Sequence, residues 1–294
     1  MKKSFGWLGP QAARRAWDAF ADQFPAFEIQ GAATSTAGKR ACLWEAMQRV
    51  TGDYLPNIRQ EIGDCVSWGA RNAVDHTAAV EIALGEREQF RASFPPYFYG
   101  ISRVQVGGGK LGNSDGSLGV WAADGVRRYG VLAADQPDVP DYSGRVAKEW
   151  GYRGPPSAMI ELARPHPFRT TARIRSYAEL RDALANGYAC TIASLRGYAM
   201  RLRDEHGKSW FVGRDTWPHQ MALVAVDDDP ARPAAYRLNS WGPDAHGPQL
   251  DGPPGGGWCH AEELDRELRD DGCECFAFSG FEGFPARPID WSAF

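Results

Sequence analysis

Beyond residue 188 the hydrophobic pattern of the chain changes period. Before that point apolar residues recur mostly at helical spacing. After it the chain breaks into the short apolar runs ACTIASL, MALVAVD, AYRLNSW, GWCHA and CECFAFSGF, separated by turn residues. Helices first and strands afterwards predict an α+β fold with two lobes, because the strands lack the interleaved helices that a doubly wound parallel sheet needs. The expected division is an N-terminal arm over 1–50 and a two-lobed domain over 51–294. Its helical lobe runs over about 51–150 and its strand-rich, barrel-like lobe over about 151–294.

In the arm, Ala12, Ala16, Phe20 and Phe24 fall at helical spacing, and the Gly/Ala/Ser/Thr-rich stretch IQGAATSTAGKRA after them reads as a flexible connection. A second helix is expected to start at Cys65, where Val66, Ala70, Ala73, Thr77 and Ala78 keep helical spacing and Gly85 offers a stop. Ser176 and Glu179 form a capping box, SYAE, ahead of a further helix. The chain has 294 residues, 43% of them hydrophobic and 24% charged, enough to bury a sizeable core. Lys+Arg 33 against Asp+Glu 37 gives a net charge of −4 without any block of one sign, so neither nucleic acid nor an anionic membrane is an expected partner. The apolar run at the N-terminus is too short for a secretory signal and no segment approaches a membrane span, which makes a cytoplasmic protein the default expectation. Six scattered cysteines do not make a disulfide scaffold, and Cys259, Cys273 and Cys275 lack the paired spacing of a metal site; no metal or cofactor is expected.

The chemistry centres on RQEIGDCVSWGARNAVD, residues 59–75, where Cys65 stands at the start of the apolar helix. A cysteine nucleophile requires a base to take its proton, a group to orient that base, and a donor for the oxyanion. Of the six histidines, only His219 opens an apolar strand, in WPHQMALVAVDDD. Asn239 ends another strand in NSWG, and its amide can accept the imidazole N–H without taking up charge. Gln60, five residues before Cys65, can aim an amide N–H at the oxyanion. His76 lies eleven residues along the Cys65 helix, roughly 16 Å away at about 1.5 Å per residue, too far to be the base. His166, His206, His246 and His260 read as surface residues, and VDDDP at 226–230 as a solvated turn.

RQEIGDC, PHQMALVAV and RLNSWG, in that order, resemble the papain-like cysteine peptidases. SFPPYFYGISR, SLGVWAADGVRRYGVLAADQPDVPDY and ELRDALANGYACTIAS extend the resemblance to roughly residues 55–282. It implies Cys65 as nucleophile, His219 as general base and then acid, Asn239 as its orienter, and Gln60 with the Cys65 backbone N–H as oxyanion hole. It also implies that Trp241 covers the His219–Asn239 contact, and that the Gly-rich loop GGGKLGNSDG offers Gly112 and Gly116 to an extended peptide. The sequence departs from the family in having one residue fewer between Gln and Cys, in Val66 for the usual Trp, and in Ile62 for a common cysteine. The helix terminus and an imidazolium are expected to lower the Cys65 pKa, whereas the charge of Asp64, as N-cap, is expected to oppose thiolate formation.

The implied function is a thiol peptidase cutting peptide or isopeptide bonds in a peptide or protein substrate. The alternative is a papain-fold structural or binding protein, a component of a phage particle or bacterial assembly, hence virion-associated, with weak or lost catalysis. The wording IGDCVSWGA favours a bacterial or phage-type member. The arm is expected either to inhibit by lying across the cleft or to dock a partner, and Trp217 with Pro218 to wall the cleft beside His219.

Overall fold

The computed structural model describes residues 4–31, 35–86, 89–203, 207–247 and 251–294. In chain order they form α1 (Pro10–Phe20), β1 (Ile29–Gln30), β2 (Arg40–Cys42), α2 (Leu43–Thr51), α3 (Cys65–Ala83), α4 (Pro95–Gly100), α5 (Gly119–Tyr129), α6 (Gly144–Arg153), α7 (Ser157–Ala163), β3 (Thr170–Arg173), α8 (Tyr177–Ala185), β4 (Cys190–Arg203), β5 (Ser209–Asp227), β6 (Ala234–Leu238), β7 (Gly256–His260), α9 (Ala261–Leu268), β8 (Glu274–Ser279) and β9 (Phe284–Pro285). The helix-first, strand-later order is therefore present, as an α+β fold.

The strand-rich part is a seven-stranded sheet in the order β3-β8-β4-β5-β6-β7, with β2 added to β5. Apart from a parallel contact at Trp210 and Trp258, where β7 reaches the start of β5, its pairings are antiparallel, and this contact curls the sheet. The long β5 is the spine: it pairs with β2, β4 and β6, and α3 packs on it. Helix α3 is buried on nearly every side, from Cys65 to Val80, which explains its Ala-rich sequence and weak amphipathicity. Gly69 lets β5 come close: a Cβ there would stand 2.9 Å from Cγ of Gln220.

Residues 40–51, assigned to the arm from sequence, belong to the sheet and core. Arg40, Ala41 and Cys42 pair with Asp227, Val226 and Ala225, and Ala41, Cys42, Leu43, Trp44 and Met47 are buried. The expected flexible connection is likewise tied down around residues 29–30, where Ile29 and Gln30 pair in parallel with Phe284 and Pro285. Helix α1 is amphipathic and packs on α5, with Trp17 against Phe24 and Phe276. Among the described residues all six cysteines are free and buried, no group of acidic, His and Cys side chains is arranged to hold a metal, and no helix is long and apolar enough to cross a membrane.

Candidate active site

Cys65 is the first residue of α3, and its sulfur receives the backbone N–H of Gln220 at 3.4 Å. That contact sets the thiol beside the residue that follows His219 on β5. His219, 1% exposed, joins its Nε2 to Oδ1 of Asn239 at 2.8 Å. Of the two ring nitrogens, Nε2 is thus the one that faces Asn239. The Ser240 backbone N–H also donates to Asn239 Oδ1, at 2.7 Å, and Trp241 lies over the His219 ring with centroids 4.7 Å apart. Burial by Trp241 excludes water and so strengthens the His219–Asn239 bond.

Gln60 is drawn into the site despite the shortened loop. Its backbone N–H bonds to the Ser240 carbonyl, and its Oε1 accepts from Ser240 Oγ at 2.6 Å. The amide Nε2 then donates to the carbonyls of Ile62 at 2.8 Å and Ser4 at 3.3 Å. Residues 239–241 thus hold the orienter of His219, the anchor of Gln60 and the indole cover in one turn.

The cleft contains the N-terminal arm. Residues 4–8 run through it as a strap beside Ser117: Ser117 donates its N–H to Gly6 O at 2.8 Å, Leu8 donates to Ser117 O at 3.1 Å, and the pairing is parallel. The Trp7 N–H reaches Pro218 O at 3.2 Å, and Trp241 Nε1 donates to Ser4 O at 3.1 Å. Phe5 stands edge-on to His219 and Trp241, with centroid distances of 6.0 and 5.7 Å. Gly6 meets the Cys65 loop so closely that a Cβ on it would lie 2.0 Å from Gly63 O, a contact only glycine permits.

This burial reverses one expectation. Desolvation pushes the Cys65 thiol up to about 12; the backbone N–H groups of Gln220, Gly6 and Trp7 oppose the rise and Asp64 adds to it. Under the strap Cys65 is a neutral thiol. Asp64 also departs from the sequence argument. Its side chain caps no backbone N–H of α3; Oδ2 instead accepts from Trp68 Nε1 at 3.2 Å and Tyr142 Oη at 3.1 Å. Desolvation raises its pKa to about 8, against these hydrogen bonds, so at neutral pH it is mostly protonated and places little negative charge beside the thiol.

The Gly-rich loop is organised from inside by the buried Arg103, whose guanidinium donates to the carbonyls of Gly112 at 2.9 Å, Ser114 at 2.7 Å and Gly116. Gly116 borders the strap, where a Cβ would come 2.9 Å from Gly6 O, but Ser117 makes the pairing and Gly112 takes no part in it. In this closed form the Gly112 carbonyl is held by Arg103 and not by the strap. His76 is buried with its Nδ1 2.7 Å from Asn72 O, and desolvation lowers it to about 4. His166 is exposed, His260 stacks on Trp210 at 4.2 Å, and His206 lies outside the described residues. His246 is no bystander: its Nε2 is 2.8 Å from Asn239 Nδ2, and Phe211 packs against its ring at 4.8 Å.

This α+β fold has known counterparts. Superposition aligns the chain with xylellain, a cysteine protease from Xylella fastidiosa, at TM-score 0.62 and 14% identity, over 96% of this chain and 99% of that one. The fold is that of the papain-like cysteine proteases. The ragweed pollen protease Amb a 11 in its proform aligns at TM-score 0.59 and 15% identity over 94% and 77% of the two chains. Procathepsin B S9 from Trypanosoma congolense aligns at TM-score 0.57 and 12% identity over 94% and 86%. No protein-family model and no curated protein matches the sequence.

Glu274, missed from sequence, lies at the far side of the strap. It is 3% exposed and accepts from Gly119 N at 2.9 Å, Val120 N at 2.8 Å and the Trp7 indole at 2.6 Å. A lone acid in the apolar run CECFAFS was its available signal, since a carboxylate is rarely buried without partners. SFGWLG, two aromatics set among glycines, was the corresponding sign of the strap.

Proposed function

We propose that the protein is a cysteine peptidase whose N-terminal strap closes its own active site. The observation that carries this is the 2.8 Å bond between His219, within β5, and Asn239, just after β6, with the Cys65 sulfur at the head of α3 held by the neighbouring Gln220 N–H. Once the strap withdraws, water reaches Cys65 and His219 Nδ1 takes its proton. The Asn239 amide and the positive end of α3 stabilise the resulting ion pair. The thiolate adds to a substrate carbonyl, the Gln60 amide and the Cys65 backbone N–H receive the oxyanion, and the C–N bond breaks as His219 protonates the leaving amine. Water, deprotonated by His219, attacks the acyl-thioester and releases the acid and Cys65.

The strap contacts at Ser4, Gly6 and Trp7 support an inhibitory arm. Two of the similar structures are proforms by description. Labelling with a thiol alkylator and cleavage of a peptide library test the assignment, with Cys65→Ala as control. A strap-released protein is expected to be alkylated at Cys65 and to cleave peptides, and the control to do neither. Equal labelling of both, or cleavage by neither, overturns it.

A further inference from the structure

We propose that Asp115, on the Gly-rich loop, is a positioning residue for catalysis: it sets the Ile62–Gly63 peptide, and through that peptide the Gln60 amide that receives the oxyanion. The inference rests on the peptidase assignment above. The Ile62–Gly63 peptide is held at both ends. Its N–H, on the buried Gly63, donates to Asp115 Oδ2 at 3.1 Å, and its C=O accepts from Gln60 Nε2 at 2.8 Å. These bonds leave opposite edges of one planar unit, so a peptide turned away from Asp115 also carries off the acceptor that holds Gln60. Gly63 permits the close approach: a Cβ on it would stand 2.8 Å from the Asp115 Cβ. Its own carbonyl accepts from Tyr99 Oη at 3.3 Å.

The charge on Asp115 is itself secured. Its other oxygen, Oδ1, receives the Lys148 ammonium from α6 at 2.5 Å. Desolvation would raise the Asp115 carboxyl; Lys148 and the Gly63 N–H outweigh it and hold the group below its ordinary value, ionised at neutral pH. A backbone N–H bonds a charged acceptor more strongly than a neutral one. Gln60 Nε2 carries two hydrogens, one spent on Ile62 O and the other on Ser4 O of the strap at 3.3 Å. When Ser4 leaves, the bond to Ile62 O remains, and with Ser240 Oγ on Oε1 it fixes the amide plane. The second hydrogen is then free for the oxyanion, in a direction that Asp115 has set. Oxyanion donors act through preorganised geometry, and small misplacements of such groups cost rate steeply.

The test uses the full-length protein carrying Gly6→Ala, the strap-released form, and compares kcat and KM for peptide cleavage with the rate of Cys65 alkylation by iodoacetamide. Adding Asp115→Ala is expected to lower kcat about tenfold with KM little changed, because an oxyanion donor acts in the transition state. Asp115→Asn, which keeps an acceptor oxygen for Gly63, is expected to recover most of that loss. Alkylation forms no oxyanion and is expected to keep its rate throughout. A double-mutant cycle decides the route: in a Gln60→Ala background, Asp115→Ala is expected to cost nothing more. Lys148→Met changes only a half-buried side chain on α6 and is expected to lower kcat about threefold, again only where Gln60 is present. It keeps the proposal open to refutation even where Asp115→Ala folds poorly. A loss that persists without Gln60, a parallel fall in alkylation, or an unchanged kcat overturns the positioning role and leaves the peptidase assignment intact. Alkylation of Cys65 without any peptide cleavage by the Gly6→Ala protein overturns both.

Discussion

Nδ2 of Asn239 lies 2.8 Å from Nε2 of His246, at the opposite end of the amide from His219. With Oδ1 turned to His219, the Asn239 NH2 must donate, so His246 accepts through Nε2 and carries its proton on Nδ1. His246→Ala is expected to lower kcat of the strap-released enzyme roughly tenfold, the worth of about one hydrogen bond, with KM little changed. His246→Gln, which offers an acceptor oxygen, is expected to recover much of the loss. Steady-state kinetics on the three proteins decide it; an unchanged kcat for His246→Ala removes the role.

Gly6 is the tightest point of the strap, since any Cβ there strikes Gly63 O. Gly6→Ala is therefore expected to dislodge residues 4–8 and expose a thiol that the closed form holds at about 12. Iodoacetamide should modify Cys65 at least about tenfold faster at pH 7 in the variant. A rate equal to that of the parent protein would mean that the strap does not protect the thiol.

Gln60 separates acylation from simple thiol reactivity. In a strap-released background, Gln60→Ala should reduce peptide cleavage by about a hundredfold, as loss of an oxyanion donor typically does. Alkylation by iodoacetamide forms no oxyanion and should proceed at the parent rate. If both rates drop together, Gln60 supports the loop and does not stabilise the transition state.

Asp64 gives a pH signature. Its folded pKa of about 8 stands above the 3.8 of the unfolded chain, so between these values the folded state binds more protons than the unfolded one. Its contribution is thus complete below pH 4 and is lost as pH rises through 8, at a slope of up to about 1.4 kcal/mol per pH unit. Denaturant unfolding at several pH values should show this decline in the parent protein and its flattening in Asp64→Asn. A decline of the same steepness in Asp64→Asn would assign it to other groups.

The α+β order and the helix start at Cys65 were legible because they are local features that the chain spells out; the start of the His219 strand was not, since β5 begins at Ser209, ten residues before the apolar run. Gln60 was readable as a residue type, but the Ser240 contacts that draw it in are made by the remote loop. The arm misled for the same reason. Arg40–Thr51 looks like the tail of a connection until β5 is present to pair with β2, and the small residues of SFGWLG carry meaning only against Gly63 and Ser117. The protonation of Asp64 was hidden too, since it follows from burial with Trp68 and Tyr142, not from its place before Cys65.

The arm that holds the strap continues into α1 on α5, β1 on β9 and β2 on β5, so its downstream end is woven into the domain it closes. The strap therefore competes as a tethered ligand, at an effective concentration of order mM set by the short span from Leu8 to α1. Dilution cannot open such a latch, and cutting ahead of α1 would release the strap while leaving the sheet whole. A competitor from outside must match that local concentration, whereas the strap can return after every opening.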